Sequence, residues 1–510
     1  MRSARVFEAE LSYILLHQIA SFNSPVYFNV GVFPSYGTLG TSENFVYDPA
    51  AGRARALTSA YLHPQASACF IQDVRDDLMS IFDLLKNEAK LFKYGSGTGT
   101  NFSRLRAKGE PLDAGGESTG LLSYLEIFDK AAHAIKSGGT TRRAAKMVVL
   151  DADHPEIVEF VRWKMNEERK ARVLIAAGIS GGMDGEAFRT VSGQNSNNSV
   201  RVTDEFMGKV AGNDAWGLRA RRTGEVVRWL GAGDLLREMA RAAWDCADPG
   251  LQFHDTIQRW HVCPEAGEIR SSNPCSEFMF LDDTACNLAS LNLVAFRRPG
   301  GGGFDWPAFR QTVRIMLLAQ EILVDYASYP SAAIAENSHR FRPLGLGYAN
   351  LGGFLMREGV AYESDEAALW TGRLTSAMHA LALEMSQEIA AVHGSSVRGA
   401  RVQEVLERHA LAAEESVDLP WVRESLRTTL AKSSRTGLRH AQVTLIAPTG
   451  TIGLLMDCDT LGIEPDFALI KRKHMSGGGE LVLMNGSVGE GLKSLGYDAS
   501  SVESIMAYVN

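Results

Sequence analysis

The sequence predicts an α/β fold, and three observations carry that expectation. Short apolar runs near 68–72, 147–150, 200–202 and 443–446 alternate with longer segments of helical apolar periodicity. Glycine-rich turns separate many of these segments, and no stretch repeats another. Hydrophobic residues make up 45% and charged residues 22%, which is ordinary for a chain that buries a large core. At 510 residues, length alone predicts roughly three domains, although α/β barrels exceed that rule as single domains.

The elements follow in order. Residues 5–22 read as an amphipathic helix ended by Ser24-Pro25, and 26–30 as a short strand. Residues 32–66, rich in Gly, Ser, Pro and Tyr, read as loop, and a strand follows around 68–72, with Cys69 at its start. Asp76-Asp77 caps a helix whose apolar stripe is Leu78, Ile81, Leu84, Leu85, Leu91 and Phe92. That helix runs into 93–101, a glycine-rich turn. Its Gly95, Gly97 and Gly99 fit GxGxG rather than GxGxxG, and a helix precedes them, so no dinucleotide fingerprint is present. The functional alternative is backbone lying close to a ligand.

A helix near 121–136 leads into 136–146, where glycines and hydroxyls surround Arg142, Arg143 and Lys146. This loop reads either as a phosphate cradle or as a solvated basic turn, and it is not a P-loop. His154-Pro155 opens the next helix, and 194–199 is a polar loop facing ligand or solvent. Residues 211–231 read as a surface excursion, 233–247 as a helix. Further helices are expected at 307–327, 364–393 and within 400–430, with a strand at 342–348. The strand at 443–446 runs into 447–453, where Pro448, Thr449, Gly450, Thr451 and Ile452 would open a helix suited to an anion.

The densest chemistry lies in 271–293. Pro274 pushes Asn273 towards an extended conformation, so Asn273, Cys275 and Glu277 are expected on one face: an amide, a thiol and a carboxylate. The apolar run 278–281 and the turn signal Asp282-Asp283 follow, and then a second strand-like run that starts at Cys286. The plain alternative is strand, turn and strand with two inert core cysteines.

A net charge of −8 argues against a general nucleic-acid binder. Six cysteines in so long a chain are no disulfide framework and lack zinc-ligand spacing, so a reducing compartment, the cytoplasm, is expected and no metal site. Neither a signal peptide nor a membrane span is readable.

Taken together, FNSPVYFNVG (22–31), ASACFIQDV (66–74), FKYGSGTGTNFSRLR (92–106), SGGTTRRAAKMV (137–148), NSNNSVRVT (195–203), SNPCSEFMFLDDTACNLASLNL (272–293), RPLGLGYANLG (342–352) and APTGTIGLLMDCDTLGIEPDFALIK (447–471) resemble the adenosylcobalamin-dependent, class II ribonucleotide reductases, in family order. The resemblance implies a ten-stranded α/β barrel with a central finger loop, with 1–66 as lead-in, 67–510 as a partial catalytic barrel and effector loops near 76–147. It implies a thiyl radical on Cys275, a general base at Glu277, Asn273 on the ribose hydroxyls, and Cys69 with Cys286 as the reductant pair. Gly97, Gly99 and 448–452 would hold a ribonucleotide, expected as the diphosphate. Asp76, Arg142, Arg143 and Lys146 would bind a dNTP or ATP effector at a homodimer interface.

The implied partners are adenosylcobalamin and a thioredoxin-like reductant. Family members are usually longer at both ends, so the chain is expected to be a fragment or to need a separate C-terminal fragment. The competing expectations are a class I large subunit, or a truncated chain that only binds nucleotides.

Overall fold

A computed structural model describes residues 4–113, 115–137, 142–182, 185–298, 302–474 and 480–509. The chain forms two compact units, one of residues 69–284, the other of residues 1–68 with 285–510. Among the described residues no helix is long and apolar enough to cross a membrane.

The 69–284 unit is built on five strands: Cys69–Gln72, Gly97–Asn101, Ala145–Asp151, Asn197–Val202 and Gly250–Phe253. They lie side by side in chain order and every pairing is parallel, with Cys69 opposite Gly97, Gly97 opposite Ala145, Met147 opposite Asn197 and Ser199 opposite Gly250. A parallel neighbour needs a long crossover, and the helices Leu78–Lys93, Leu121–Ala134 and Ile157–Ala176 are the first three. Alternate strand residues, Val148 and Leu150 with Val200 and Val202, pack into one core with Ile81, Leu84, Phe128 and Phe160 from those helices.

Asp77 caps the first helix, its side chain accepting from the Ser80 N–H at 3.0 Å, as its sequence position predicts. The buried face of that helix carries one charge, Glu88, which takes two hydrogen bonds from Lys146 Nζ at 2.7 and 2.9 Å. Lys146 also sits 3.7 Å from the Phe128 ring centre. Burial pushes Glu88 up and Lys146 down, each opposed by the other's charge. Lys146 is therefore a buried strand residue, not part of the solvated basic loop that its sequence context suggested.

In the other unit the strand Thr284–Asn292 runs antiparallel to Ala20–Phe22 and parallel to Leu344–Ala349. Gly347 is glycine for a packing reason: a Cβ there would lie 2.5 Å from the Leu445 carbonyl oxygen. Beside this small sheet Arg342, 1% exposed, is held by Glu321 at 2.6 Å and Asp325 at 2.9 Å. Burial alone would raise Glu321, but His440 and Arg342 pull it down to about 2.

Several local expectations change. Residues 26–30 are not a strand: Ser24–Asn29 is helical, with Pro25 in its first turn, where a missing N–H costs nothing. The first helix stops at Leu16, and Ala20–Phe22 is a strand. Within 32–66 lie a short helix, Val32–Tyr36, and a hairpin, Phe45–Asp48 with Arg53–Ala56. The excursion at 211–231 is a hairpin, Ala215–Arg219 with Val226–Gly231. At 443–446 a single bridge from Leu346 to Thr444 replaces the expected strand.

Replacing Glu88 by Gln strands a buried ammonium. Urea unfolding is expected to show a loss of roughly 3–5 kcal/mol, most of it recovered in a Glu88→Leu, Lys146→Met double variant.

Candidate active site

The 271–284 segment is a hairpin lying on the sheet of its own unit. Ser271–Ser272 pairs antiparallel with Met279–Phe280. Its passage depends on Gly99. A Cβ built there would sit 1.7 Å from the Ser272 carbonyl oxygen, and one at Gly97 would sit 2.8 Å from the Pro274 ring. Side chains two apart on a strand share a face, so Gly97 and Gly99 strip one face of side chains and leave a bed for the hairpin. The 93–101 stretch is thus partly strand, buried throughout Gly97–Asn101, and its glycines receive the chain's own backbone.

The hairpin is pinned along its length. Asn101 Nδ2 donates to the Arg270 carbonyl at 2.9 Å, Gln252 Nε2 to Ser272 Oγ at 2.8 Å and Asn197 Nδ2 to the Pro274 carbonyl at 2.8 Å. The last contact places the polar 194–199 loop of the sequence against the hairpin tip.

Residues 273–277 are a turn, not the extended segment expected from Pro274. The Ser276 N–H donates to the Asn273 carbonyl at 3.2 Å, and Ser276 takes φ 62°. Asn then Pro at the first two turn positions is the usual chemistry of such a turn. Asn273 closes the loop from both sides: its N–H donates to the Phe278 carbonyl at 3.0 Å and its Oδ1 accepts from the Phe278 N–H at 3.0 Å.

The expected grouping survives in another form. Asn273 Nδ2 donates to Cys69 Sγ at 2.9 Å, and Cys69 Sγ donates to Glu277 Oε1 at 3.6 Å. Amide, sulfur and carboxylate therefore meet at Cys69, which is buried, while Cys275 is exposed at the turn tip. Phe278 and Phe280, 0% and 2% exposed, form an apolar floor behind them.

The other sequence-predicted residues lie elsewhere. Cys286 is fully buried in the strand of the 1–68/285–510 unit, its thiol donating to the Asn287 carbonyl at 3.6 Å. In the same unit Pro448, Thr449 and Gly450 precede a five-residue helix, Thr451–Leu455. Thr449 and Gly450 both have positive φ, and Pro448 and Thr451 are exposed. Asp76 is paired with Arg106 at 2.5 Å, a partner the sequence reading missed. Arg142–Arg143 forms a two-residue ladder with Lys136–Ser137; the side chains of these four lie outside the described set, as do residues 138–141. Asp282 and Asp283, read only as a turn signal, are pushed up to about 7 and about 6, chiefly by burial and then by Asp73.

With this geometry in view, the comparisons with known proteins identify the class. The ribonucleotide reductase barrel-domain model matches residues 67–510. The chain belongs to that family. It is 46% identical, over 99% of its length, to a vitamin B12-dependent ribonucleotide reductase of Rhodopirellula baltica, covering 50% of that protein. It is 45% identical to one of Streptomyces clavuligerus, covering 51% of it. A vitamin B12-dependent ribonucleoside-diphosphate reductase of Mycobacterium tuberculosis is 33% identical over 79% of the chain. The chain spans about half the length of the curated relatives it matches.

Two outcomes follow from this site. Gly99→Ala is expected to lower the unfolding free energy by roughly 1–3 kcal/mol, because a methyl group is forced into backbone. Gly208→Ala, where a Cβ meets nothing within 4 Å, should be neutral or slightly stabilising by the same measurement. The raised carboxyls bind protons more tightly folded than unfolded. Their contribution is therefore full below about pH 4 and is lost as pH rises through about 6 and about 7. Asp282→Asn should flatten the fall of the urea midpoint across that window.

Proposed function

We propose that this chain is the catalytic part of an adenosylcobalamin-dependent ribonucleotide reductase, with 1–66 as lead-in and 67–510 as part of a ten-stranded barrel whose finger loop is the 271–284 hairpin. The observation that carries the reading is the convergence of Asn273 and Glu277 on Cys69, under a turn that presents Cys275. The vitamin B12 dependence of the relatives supports the cofactor, and the Mycobacterium tuberculosis ribonucleoside-diphosphate reductase supports a diphosphate substrate.

Cys275 suits the cofactor because its exposed thiol can be reached by a large group from outside the chain. Bound adenosylcobalamin supplies the means to remove one hydrogen atom from that thiol. The Cys275 sulfur radical then takes the hydrogen from C3′ of the ribose. Glu277 accepts the 3′-hydroxyl proton, and Asn273 orients the ribose hydroxyls. The 2′-hydroxyl leaves as water with a proton from the thiols. Cys69 and Cys286 supply two electrons and are oxidised to a disulfide, their second hydrogen taking the place of the hydroxyl on C2′. Glu277 gives its proton back to the 3′ oxygen, and Cys275 returns a hydrogen atom to C3′ and is left as the radical again. The hydrogen bond from Cys69 to Glu277 supports this assignment, because it gives the thiol proton an acceptor. The floor of Phe278 and Phe280 helps to keep the radical dry.

The free amides at the start of Thr451–Leu455, with Pro448, Thr449, Gly450, Thr451 and Ile452, would take the diphosphate. Gly97 and Gly99 act indirectly, by seating the finger loop. Asp76, Arg142, Arg143 and Lys146 mark the region of a dNTP or ATP effector. Lys146 serves there as a buried support through Glu88. Homodimerisation is supported by Leu78, Met79 and Phe82 on one helix and Ile127 on the helix packed beside it, all exposed. A thioredoxin-like reductant and a separate C-terminal fragment would complete the cycle, in a reducing cytoplasm.

The test mixes the chain, reduced beforehand and freed of reductant, with adenosylcobalamin and a ribonucleoside diphosphate. About one deoxynucleotide per chain is expected, since one thiol pair holds two electrons. Cys275→Ser should form none, and Cys69→Ser should keep the paramagnetic signal but yield no normal product. Deoxynucleotide formation by Cys275→Ser at the wild-type level would remove the proposal.

A further inference from the structure

The mechanism uses the amino-terminal ends of the parallel strands in the 69–284 unit, where Cys69, Gly97 and Asn197 lie. A second cavity opens at their carboxy-terminal ends, in the same unit. Its volume is about 470 Å³, and its wall includes Asn101, Asp151, Arg201, Trp216, His254 and Arg270. Asn101 lies four residues beyond Gly97 and Arg201 four beyond Asn197, roughly 13 Å at the usual rise.

Arg201 gives this cavity its chemistry. The residue is 3% exposed, yet no carboxylate lies within ion-pair distance of it among the described residues. Its acceptors are neutral: Gln252 Oε1 at 3.0 Å, His254 Nδ1 at 3.3 Å and the Ile269 carbonyl. A guanidinium has five N–H donors, and these bonds use three. Burial, the largest cause, lowers its pKa to about 10 even though Asp151, Asp282 and Glu268 act against that from further away. A buried cation ordinarily has an anion beside it, because desolvation is otherwise uncompensated. Arg270, on the same wall, has only Asp151 at 3.6 Å. Asp153, Glu205 and Glu268 also line the cavity, with Lys209 and Arg219, but among the described residues Asp151 is the one carboxylate within ion-pair distance of Arg201 or Arg270.

The lining also carries two tryptophans, Trp216 and Trp229. Trp216 is fixed by its Nε1–H donating to the Ala152 carbonyl at 3.0 Å and by an edge contact to Phe206. Trp229, from the next strand of the hairpin, is 65% exposed at the mouth. An exposed tryptophan beside a buried arginine is the pairing that binds a flat body with an anionic head.

We propose that this cavity binds a small aromatic phosphate ester, its phosphate dianion against Arg201 and Arg270 and its ring against Trp216 and Trp229. The site is separate from the reductase chemistry and needs neither cofactor nor substrate.

The test is calorimetric titration of the whole chain with phenyl phosphate, with inorganic phosphate and phenol as the two halves of the probe. Saturable binding of phenyl phosphate is expected, with each half weaker by about tenfold or more. Trp229→Ala, at an exposed position, leaves the fold intact and should weaken phenyl phosphate binding while sparing inorganic phosphate. Arg270→Gln and Arg201→Gln should weaken both, the second read only if its melting temperature stays near wild type. No saturable binding overturns the proposal. So does binding unchanged in Trp229→Ala and Arg270→Gln, which would put the ester elsewhere on the chain.

Discussion

The site rests on a missing methyl group. With any side chain at Gly99, the Ser272 carbonyl could not lie where it does, and the 271–284 hairpin would lift off the strands beneath. Only with the hairpin seated do Asn273 and Glu277 reach Cys69 from the same side. Glycine weakens a strand, so two glycines on one face of Gly97–Asn101 are a local cost. That cost is offset by hydrogen bonds from Asn101, Gln252 and Asn197, which hold the hairpin at its base, middle and tip.

Buried charge is handled differently in three places. Glu88 and Lys146 neutralise each other in the core of one unit. Arg342 in the other is surrounded by Glu321 and Asp325. Arg201 has neutral partners alone, and it borders a cavity. The first two arrangements are complete in themselves. The third leaves a guanidinium facing open volume, as binding sites do and packing sites rarely do.

The sequence was readable where one short-range rule dominated. The Asp77 cap, the apolar stripe of Leu78–Lys93 and the alternation of strands and helices follow from local pattern, and they appear as expected. It was misread where two local signals competed. Pro274 was weighed as a strand former, yet Asn273-Pro274 is also a turn opener, and the turn prevailed because Asn273 bonds to Phe278 across it. Gly97 and Gly99 read by composition as a turn, although their spacing of two is the mark of one bared strand face. Lys146 looked like part of a basic loop because its partner Glu88 lies 58 residues away. Arg106 and Arg201 gave no signal at all, since a lone arginine acquires meaning only from what folding brings beside it.

The two ends of the parallel strands are joined by one amide. Gln252, 1% exposed, accepts from Arg201 through its oxygen and donates through its nitrogen to Ser272 and Ser276, the latter next to Cys275. Arg201 also holds the Ile269 carbonyl, two residues before the hairpin begins. An amide has a fixed polarity, and the guanidinium only donates, so Gln252 cannot turn over without setting its NH2 against Arg201. Any shift of the Arg201 guanidinium towards an anion must therefore stretch a bond to the hairpin or carry Gln252 with it. The turn that presents Cys275 is thus anchored partly through Gln252, whose other end is held by a buried guanidinium with neutral partners.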